Sequence, residues 1–430
     1  MKNHILDVLK NRQFSFLLVA EVLSQVAFNT MNFMLLIIVF KLSKSNAAVS
    51  GIVLSFTIPA IIFGVLAGAY VDRWNKKAVL FWTNLIRALL LVPLVFFNSN
   101  LFIVYILSFL IATVTQFFIP AETPVIPLLV KKDLLLSANA LFGMILYGSI
   151  LFAYALSSPF LILFGQSYSL LILIILFIFA AFFVSLIKIP KNINQKKYPK
   201  LASKEAMEYF SLNPFKEFKI ALNLVAKTRR IYGSLFLLTL SQILILILAV
   251  IGPGFAHQVL GIKVDEFPLV FVTPAALGMV VTAIIIGNFF ANKSRRKMAN
   301  LGVFLGGISL LLLPYGSKMA SREIVQTINT YLPHIFAINV LHIVIFLAFV
   351  LGIANALIFV PSNTILQEET SDELRGKVYG ALNSLVGIFS LLPVIMVGEL
   401  ADIFGVSFVL TGIGMLFLLL GCIRLLRTLK

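Results

Sequence analysis

The sequence predicts an all-α membrane protein: twelve transmembrane helices arranged as two six-helix bundles. Three observations carry this. Of 430 residues, 60% are hydrophobic and only 12% charged, with a mean hydropathy of +1.04; soluble domains average about 45–50% apolar and about 25% charged. The apolar residues fall into runs of about 20, the length that crosses roughly 30 Å of hydrocarbon. Lys and Arg gather in alternate connections between those runs. Disorder is excluded by the same composition, because disordered chains are poor in residues such as Phe, and this one has 40.

The runs lie at 14–40, 49–71, 78–97, 101–119, 141–164 and 168–187, then at 231–251, 267–290, 298–315, 335–360, 378–400 and 406–426. The first is too long for the apolar core of a signal peptide and has no convincing cleavage site, so it is expected to be retained. With both termini on the cytoplasmic side, 28 of the 34 Lys and Arg fall in inward segments and 5 in outward loops, Arg87 lying inside a span. That asymmetry sets orientation and accounts for the net charge of +17 without nucleic acid as a partner. The single cysteine, Cys422, cannot form an intrachain disulfide, and the four histidines have no metal-site spacing. No metal or cofactor is expected.

Three segments follow: an N-terminal bundle (1–187), a basic linker (188–230) and a C-terminal bundle (231–430). In the linker, Phe215, Phe218, Leu222 and Val225 recur at helical spacing, with Lys216, Lys219, Asn223, Lys227 and Arg230 on another face. This pattern fits an amphipathic helix on an anionic membrane surface, and equally a solvated linker helix. The linker is too short for a catalytic or nucleotide-binding domain, and the chain has no GxxxxGK[ST] motif. Polar and ionisable side chains never cluster at one depth in a catalytic pattern, so an enzyme is not expected. The halves echo one another. Gly68 precedes the basic cluster Arg73, Lys76, Lys77, as Gly287 precedes Lys293, Arg295, Arg296, Lys297, and Pro120 corresponds to Pro361. Paired halves around a midplane cavity are a recurrent transporter plan.

Glu21 is the most informative residue. It lies about 12 Å into the first span at 1.5 Å per residue. A carboxylate there is costly unless neutralised or hydrated, which makes it a functional candidate. Gln25, Asn29 and Asn32 fall on nearly the same face, a polar stripe that lipid would not tolerate, and a wet cavity wall is inferred. Glu21 is read as a site for a proton, a cationic substrate, or both in competition. Gln116, Gln242, His342 and Asn383 extend the set of substrate- or proton-binding candidates to other spans. Arg87 is read as snorkelling or pairing structurally. Glu399 and Asp402 are placed at the outer end of span eleven. An abundance of Phe with few polar anchors implies a pocket for amphipathic molecules rather than one sugar.

Gly68-x-x-x-Asp72-Arg73-x-x-Lys76-Lys77 resembles the loop signature of the major facilitator superfamily, with Asn75 at the usual second glycine. Phe117-Phe118-Ile119-Pro120-Ala121, Ile126-Pro127-x-Leu129-Val130 and Ala138-Asn139-Ala140 are similar to the corresponding loop of the macrolide-efflux and enterobactin-exporter branch. So is Leu366-Gln367 followed by Asp372-Glu373-Leu374-Arg375-Gly376-Lys377-Val378. The glycine-rich efflux motif of span five is mostly missing, with Tyr154 and Ser158 at two glycine positions, and span four has no arginine. The resemblance implies the major facilitator fold, a multi-pass protein of the cell membrane with both termini cytoplasmic. It implies proton-coupled export of hydrophobic or amphipathic small molecules by alternating access. The alternative is a carrier of a specific metabolite, lipid or siderophore, in either direction. Gly68, Asp72, Arg73, Lys76, Lys77, Arg375 and Lys377 become the expected cytoplasmic gate, its cations meeting helix C-termini and lipid phosphates.

Overall fold

The computed structural model describes residues 8–71, 74–131, 134–188, 229–290, 294–315, 326–327, 329–330, 339–370 and 372–429. Among them the secondary structure is entirely helical. The helices are α1 (Arg12–Ser43), α2 (Asn46–Val71), α3 (Lys76–Phe97), α4 (Leu101–Glu122), α7 (Arg229–Gly254), α8 (Thr273–Phe289), α9 (Arg295–Tyr315), α10 (Val340–Glu368), α11 (Asp372–Phe404) and α12 (Val406–Leu429). One continuous run, Leu135–Leu186, supplies α5 and α6. By length and apolarity, eleven stretches of the described residues qualify as spans, and the broken run makes the difference from twelve. Gly165 has φ 69° and ψ −175°, a conformation open to glycine but costly with a Cβ. The Ser169 hydroxyl donates to the carbonyls of both Gly165 and Phe160, at 2.5 and 2.8 Å. Residues nine apart in a straight helix are about 13 Å apart, so the chain reverses here and α5 (135–164) and α6 (166–186) are two helices.

The chain divides into two compact units, Met1–Ile38 with Leu54–Lys219 and Val39–Val53 with Ile220–Lys430. In the first, α3 packs against α4 and the α5–α6 run. Phe14, Leu17, Leu80, Phe118, Ile126 and Val184 meet in one buried cluster. Asn75 caps α3 by accepting from the Ala78 N–H at 3.2 Å, which gives the departure from glycine at that position a structural role. In the second unit α9 packs on α10 and α12, and α8 on α10. The α8–α10 crossing is a mutual glycine contact: a Cβ on Gly278 would strike the Phe349 carbonyl, and one on Gly352 the Ala275 carbonyl. Small residues let spanning backbones close to this range, where dispersion replaces the missing hydrophobic drive.

The linker helix and the gate residues Asp72 and Arg73 lie outside the described residues, as does most of the long loop after α9.

Candidate functional site

The first unit buries three ionisable side chains from three helices. Glu21 of α1, Arg87 of α3 and Glu122 of α4 are 2%, 1% and 5% exposed. The carboxyl groups of Glu21 and Glu122 neighbour each other, and Arg87 acts electrostatically on both. Arg87 sits over the rings of Phe118, Phe177 and Phe28, its guanidinium carbon 4.4, 5.0 and 6.0 Å from their centroids. Its Nε donates to the Thr83 carbonyl at 3.2 Å. Three aromatic faces and one carbonyl therefore hold the cation in place of water. The Arg87 Nη2 and Glu122 Oε2 atoms are buried without a hydrogen-bond partner among the described residues. Snorkelling of Arg87 is thereby corrected: the side chain turns into the bundle because it shares a stripe with the buried Leu80, Asn84, Leu91 and Leu94.

The stripe on α1 is hydrogen-bonded along its length. Gln25 Nε2 donates to Glu21 Oε1 at 2.8 Å. Asn29 Nδ2 donates to the Gln25 backbone and side-chain oxygens at 2.8 and 3.1 Å. One turn further, Asn32 presents a buried Oδ1 without a partner among the described residues. Beside Glu21, Ser24 donates to Asn84 Oδ1 at 2.9 Å, and Asn84 Nδ2 to the Leu80 carbonyl. Polar groups at i, i+4 and i+8 share a face, so one helix carries a line of exchangeable hydrogen bonds away from the carboxyl pair.

The other sequence candidates are dispersed. Gln116 of α4 donates to the Ala112 carbonyl at 3.3 Å and lies close to Gly64 of α2. Gln242 is half-buried on α7, next to Ser241, which is hydrogen-bonded to Asn355 of α10. His342 is exposed in the first turn of α10, where it forms a capping box with Asn339. Asn383, Arg375 and Lys377 lie on α11, but their side chains are outside the described set. Gly68 lies in the last turn of α2 and Lys76 opens α3. Lys77 Nζ donates to the Ser185 carbonyl in the last turn of α6 at 2.8 Å, where a cation is favoured.

Two features escape sequence reasoning. Glu122 follows Pro120 at a span end and reads as a loop residue. Its usable signal is its setting, a single carboxylate between Phe117-Phe118-Ile119 and Val125-Ile126. The second is the set of partners of Asp402, which the sequence places at the outer end of span eleven: it accepts from Ser45 Oγ (2.5 Å), Asn46 N and Nδ2 (both 2.8 Å) and Ala47 N (3.0 Å). It caps the start of α2, within the second unit. Lys41 and Asp265 pair nearby at 2.6 Å.

The profile described as Major Facilitator Superfamily matches residues 17–325. The chain is 25% identical over 403 residues to the uncharacterized MFS-type transporter YfiS of Bacillus subtilis (strain 168), covering 90% of this chain and 86% of that one. It is 22% identical over 322 residues to the uncharacterized MFS-type transporter YkuC of the same organism, covering 72% of each. Among solved structures, a POT family transporter in complex with 5-aminolevulinic acid superposes with a TM-score of 0.73 at 12% identity, covering 97% of this chain and 96% of that chain. The nucleoside transporter NupG superposes with a TM-score of 0.69 at 14% identity, covering 95% of this chain and 98% of that chain. At these identities the likeness concerns the fold. The match spans well over half the sequence, and the chain belongs to the Major Facilitator Superfamily as a multi-pass membrane transporter.

Proposed function

We propose that this transporter is proton-coupled and exports amphipathic small molecules across the cell membrane with both termini in the cytoplasm, the Glu21–Glu122 pair carrying the proton. The observation that carries the proposal is the juxtaposition of two buried carboxyl groups. Two adjacent carboxylates would repel in a medium that solvates neither, so the pair is expected to hold a hydrogen. Charge arithmetic gives the same answer. One shared proton leaves the pair at −1, which Arg87 balances. Removing it leaves a buried net charge, which costs several kcal/mol unless water or a cation enters.

The Gln25–Asn29–Asn32 line is the route by which water or a cationic headgroup reaches the pair. Arrival of positive charge at Glu21 makes proton release favourable, and Arg87 Nη2 turns toward Glu122 Oε2 as the proton leaves. Reprotonation at the other face expels the solute, so the two ligands compete for one site and alternate. The resemblance of the α4–α5 and α10–α11 connections to the macrolide-efflux and enterobactin-exporter branch supports the outward direction. The apolar span interiors support an amphipathic solute.

The test uses proteoliposomes with an imposed pH gradient and ethidium as a cationic amphipathic probe. Wild-type protein should exchange probe for protons. Glu21→Gln and Glu122→Gln should each weaken probe binding and abolish probe-dependent proton flux. Unchanged coupling in both variants would remove the carboxyl pair from the mechanism.

A further inference from the structure

We propose that a cavity between α3 and α4 is a binding site for one acyl chain of an anionic phospholipid, in the leaflet beside the α2–α3 loop. The cavity measures about 680 Å³ and lies wholly within the first unit, inside the range of roughly 300–1,000 Å³ typical of small-ligand sites. Its walls include Trp74, Val79, Trp82, Ile86, Val114 and Phe117. From Lys76 to Ile86 α3 rises about 15 Å, half of the roughly 30 Å hydrocarbon layer. The depth is that of one leaflet.

The polar side chains in the wall are already engaged. Thr83 donates to the Val79 carbonyl at 2.7 Å, Thr113 to the Phe109 carbonyl at 2.8 Å, and Asn75 accepts from the Ala78 N–H. The wall offers an occupant little beyond apolar surface and indole edges, which suits hydrocarbon and not a sugar or nucleoside. Trp82 and Ile86 belong to the exposed stripe that continues through Leu89 and Phe96, so the cavity is continuous with the face α3 turns to the bilayer. Trp74 stacks on Phe117 at 5.9 Å, which joins the loop to α4 at the level where amphipathic rings prefer the interface.

The choice of headgroup follows from charge. Lys76 and Lys77 occupy the first turn of α3, directly after the wall residue Asn75. Cations at that end oppose the helix dipole; Lys77 already donates to the Ser185 carbonyl, and Lys76 also has a partner. A lipid phosphate over this turn would meet two cations and the helix N-terminus together, while its chain descends past Trp82.

The chain has two tryptophans, and both line the cavity, so intrinsic fluorescence reads it directly. Full-length protein is reconstituted in phosphatidylcholine vesicles containing increasing fractions of dibrominated phosphatidylglycerol or dibrominated phosphatidylcholine. Occupancy predicts quenching by brominated phosphatidylglycerol that saturates at a several-fold lower mole fraction than by brominated phosphatidylcholine. Equal quenching that follows mole fraction for both lipids would mean ordinary contact with bulk lipid and would overturn the site. Ala78→Phe fills the cavity from α3 and should erase the saturable component; its persistence would place the lipid elsewhere and also overturn the proposal. If that variant fails to insert, Val114→Phe makes the same test from α4.

Discussion

The two units bury different chemistry. The first encloses Glu21, Arg87 and Glu122 with Asn84 and a line of amides on α1. Among the described residues of the second, the buried polar side chains are Ser, Thr and Asn, with no buried charge. Its close crossings are made by glycines, with Gly278 and Gly352 at α8–α10, Gly302 against Ala354 of α10, and Gly307 against Leu418 of α12. Charge inside a bundle needs partners and is sensitive to water. Backbone-to-backbone packing needs neither and is sensitive to a single methyl. The contrast divides the labour: one unit holds the titratable chemistry and the other resists deformation.

The largest effect expected from breaking this contrast is at Arg87. Arg87→Met leaves two buried carboxyl groups without a counter-charge, and removing one partner of such a set typically costs about 3–5 kcal/mol. Thermal unfolding in detergent should show a large loss of stability. Adding Glu122→Gln should restore part of it, because one neutralisable carboxyl then remains. Additive losses in the double variant would mean that Arg87 and Glu122 do not interact.

Next is Gly352→Ala. The new methyl would meet the Ala275 carbonyl, a backbone atom that cannot rotate aside, and overpacking of this kind costs about 1–3 kcal/mol. Gly148→Ala in the first unit is the control. A Cβ there meets nothing within 4 Å, and alanine is favoured over glycine in a helix by about 1 kcal/mol. The two substitutions should move the melting temperature in opposite directions.

How far the molecule was legible follows from these same residues. Span positions were readable because the bilayer fixes the length of an apolar run. Their ends were not: α5 begins at Leu135 rather than 141, and α10 at Val340 rather than 335, where Asn339 supplies a cap that hydropathy ignores. Glu21 was readable because a carboxylate in the middle of an apolar run has no cheap explanation. Glu122 was not, since proline and a span end give any carboxylate an ordinary reason to be there. Arg87 was visible, and of its two readings the structure favours pairing over snorkelling. Its ring partners come from α1, α4 and α6, and no local pattern records a box assembled from three distant helices. The α3 stripe of Leu80, Asn84, Arg87 and Leu91 carried the hint, because it lies opposite the exposed Trp82, Ile86 and Leu89.

Asp402 sharpens the comparison within the second unit, beside the segment Val39–Val53. Its carboxylate accepts four hydrogen bonds from Ser45, Asn46 and Ala47 at the start of α2. Losing a side-chain cap costs about 0.5–2 kcal/mol, less than the core substitutions because this site is near the surface. The effect should be local. In a Cys422→Ser background with Ser45→Cys as reporter, Asp402→Ala should raise the rate of modification by a water-soluble thiol reagent several-fold while thermal stability changes little. The reporter itself removes one of the four bonds, so the rate is compared with and without Asp402→Ala in that same background, where Asp402 still accepts three. An unchanged rate would mean that packing alone holds this segment, through Gly254 and Gly398 against Asn46 and Ser50. A large fall in melting temperature would instead make Asp402 part of the second unit's rigid core, and the glycine-based account of that rigidity would then be incomplete.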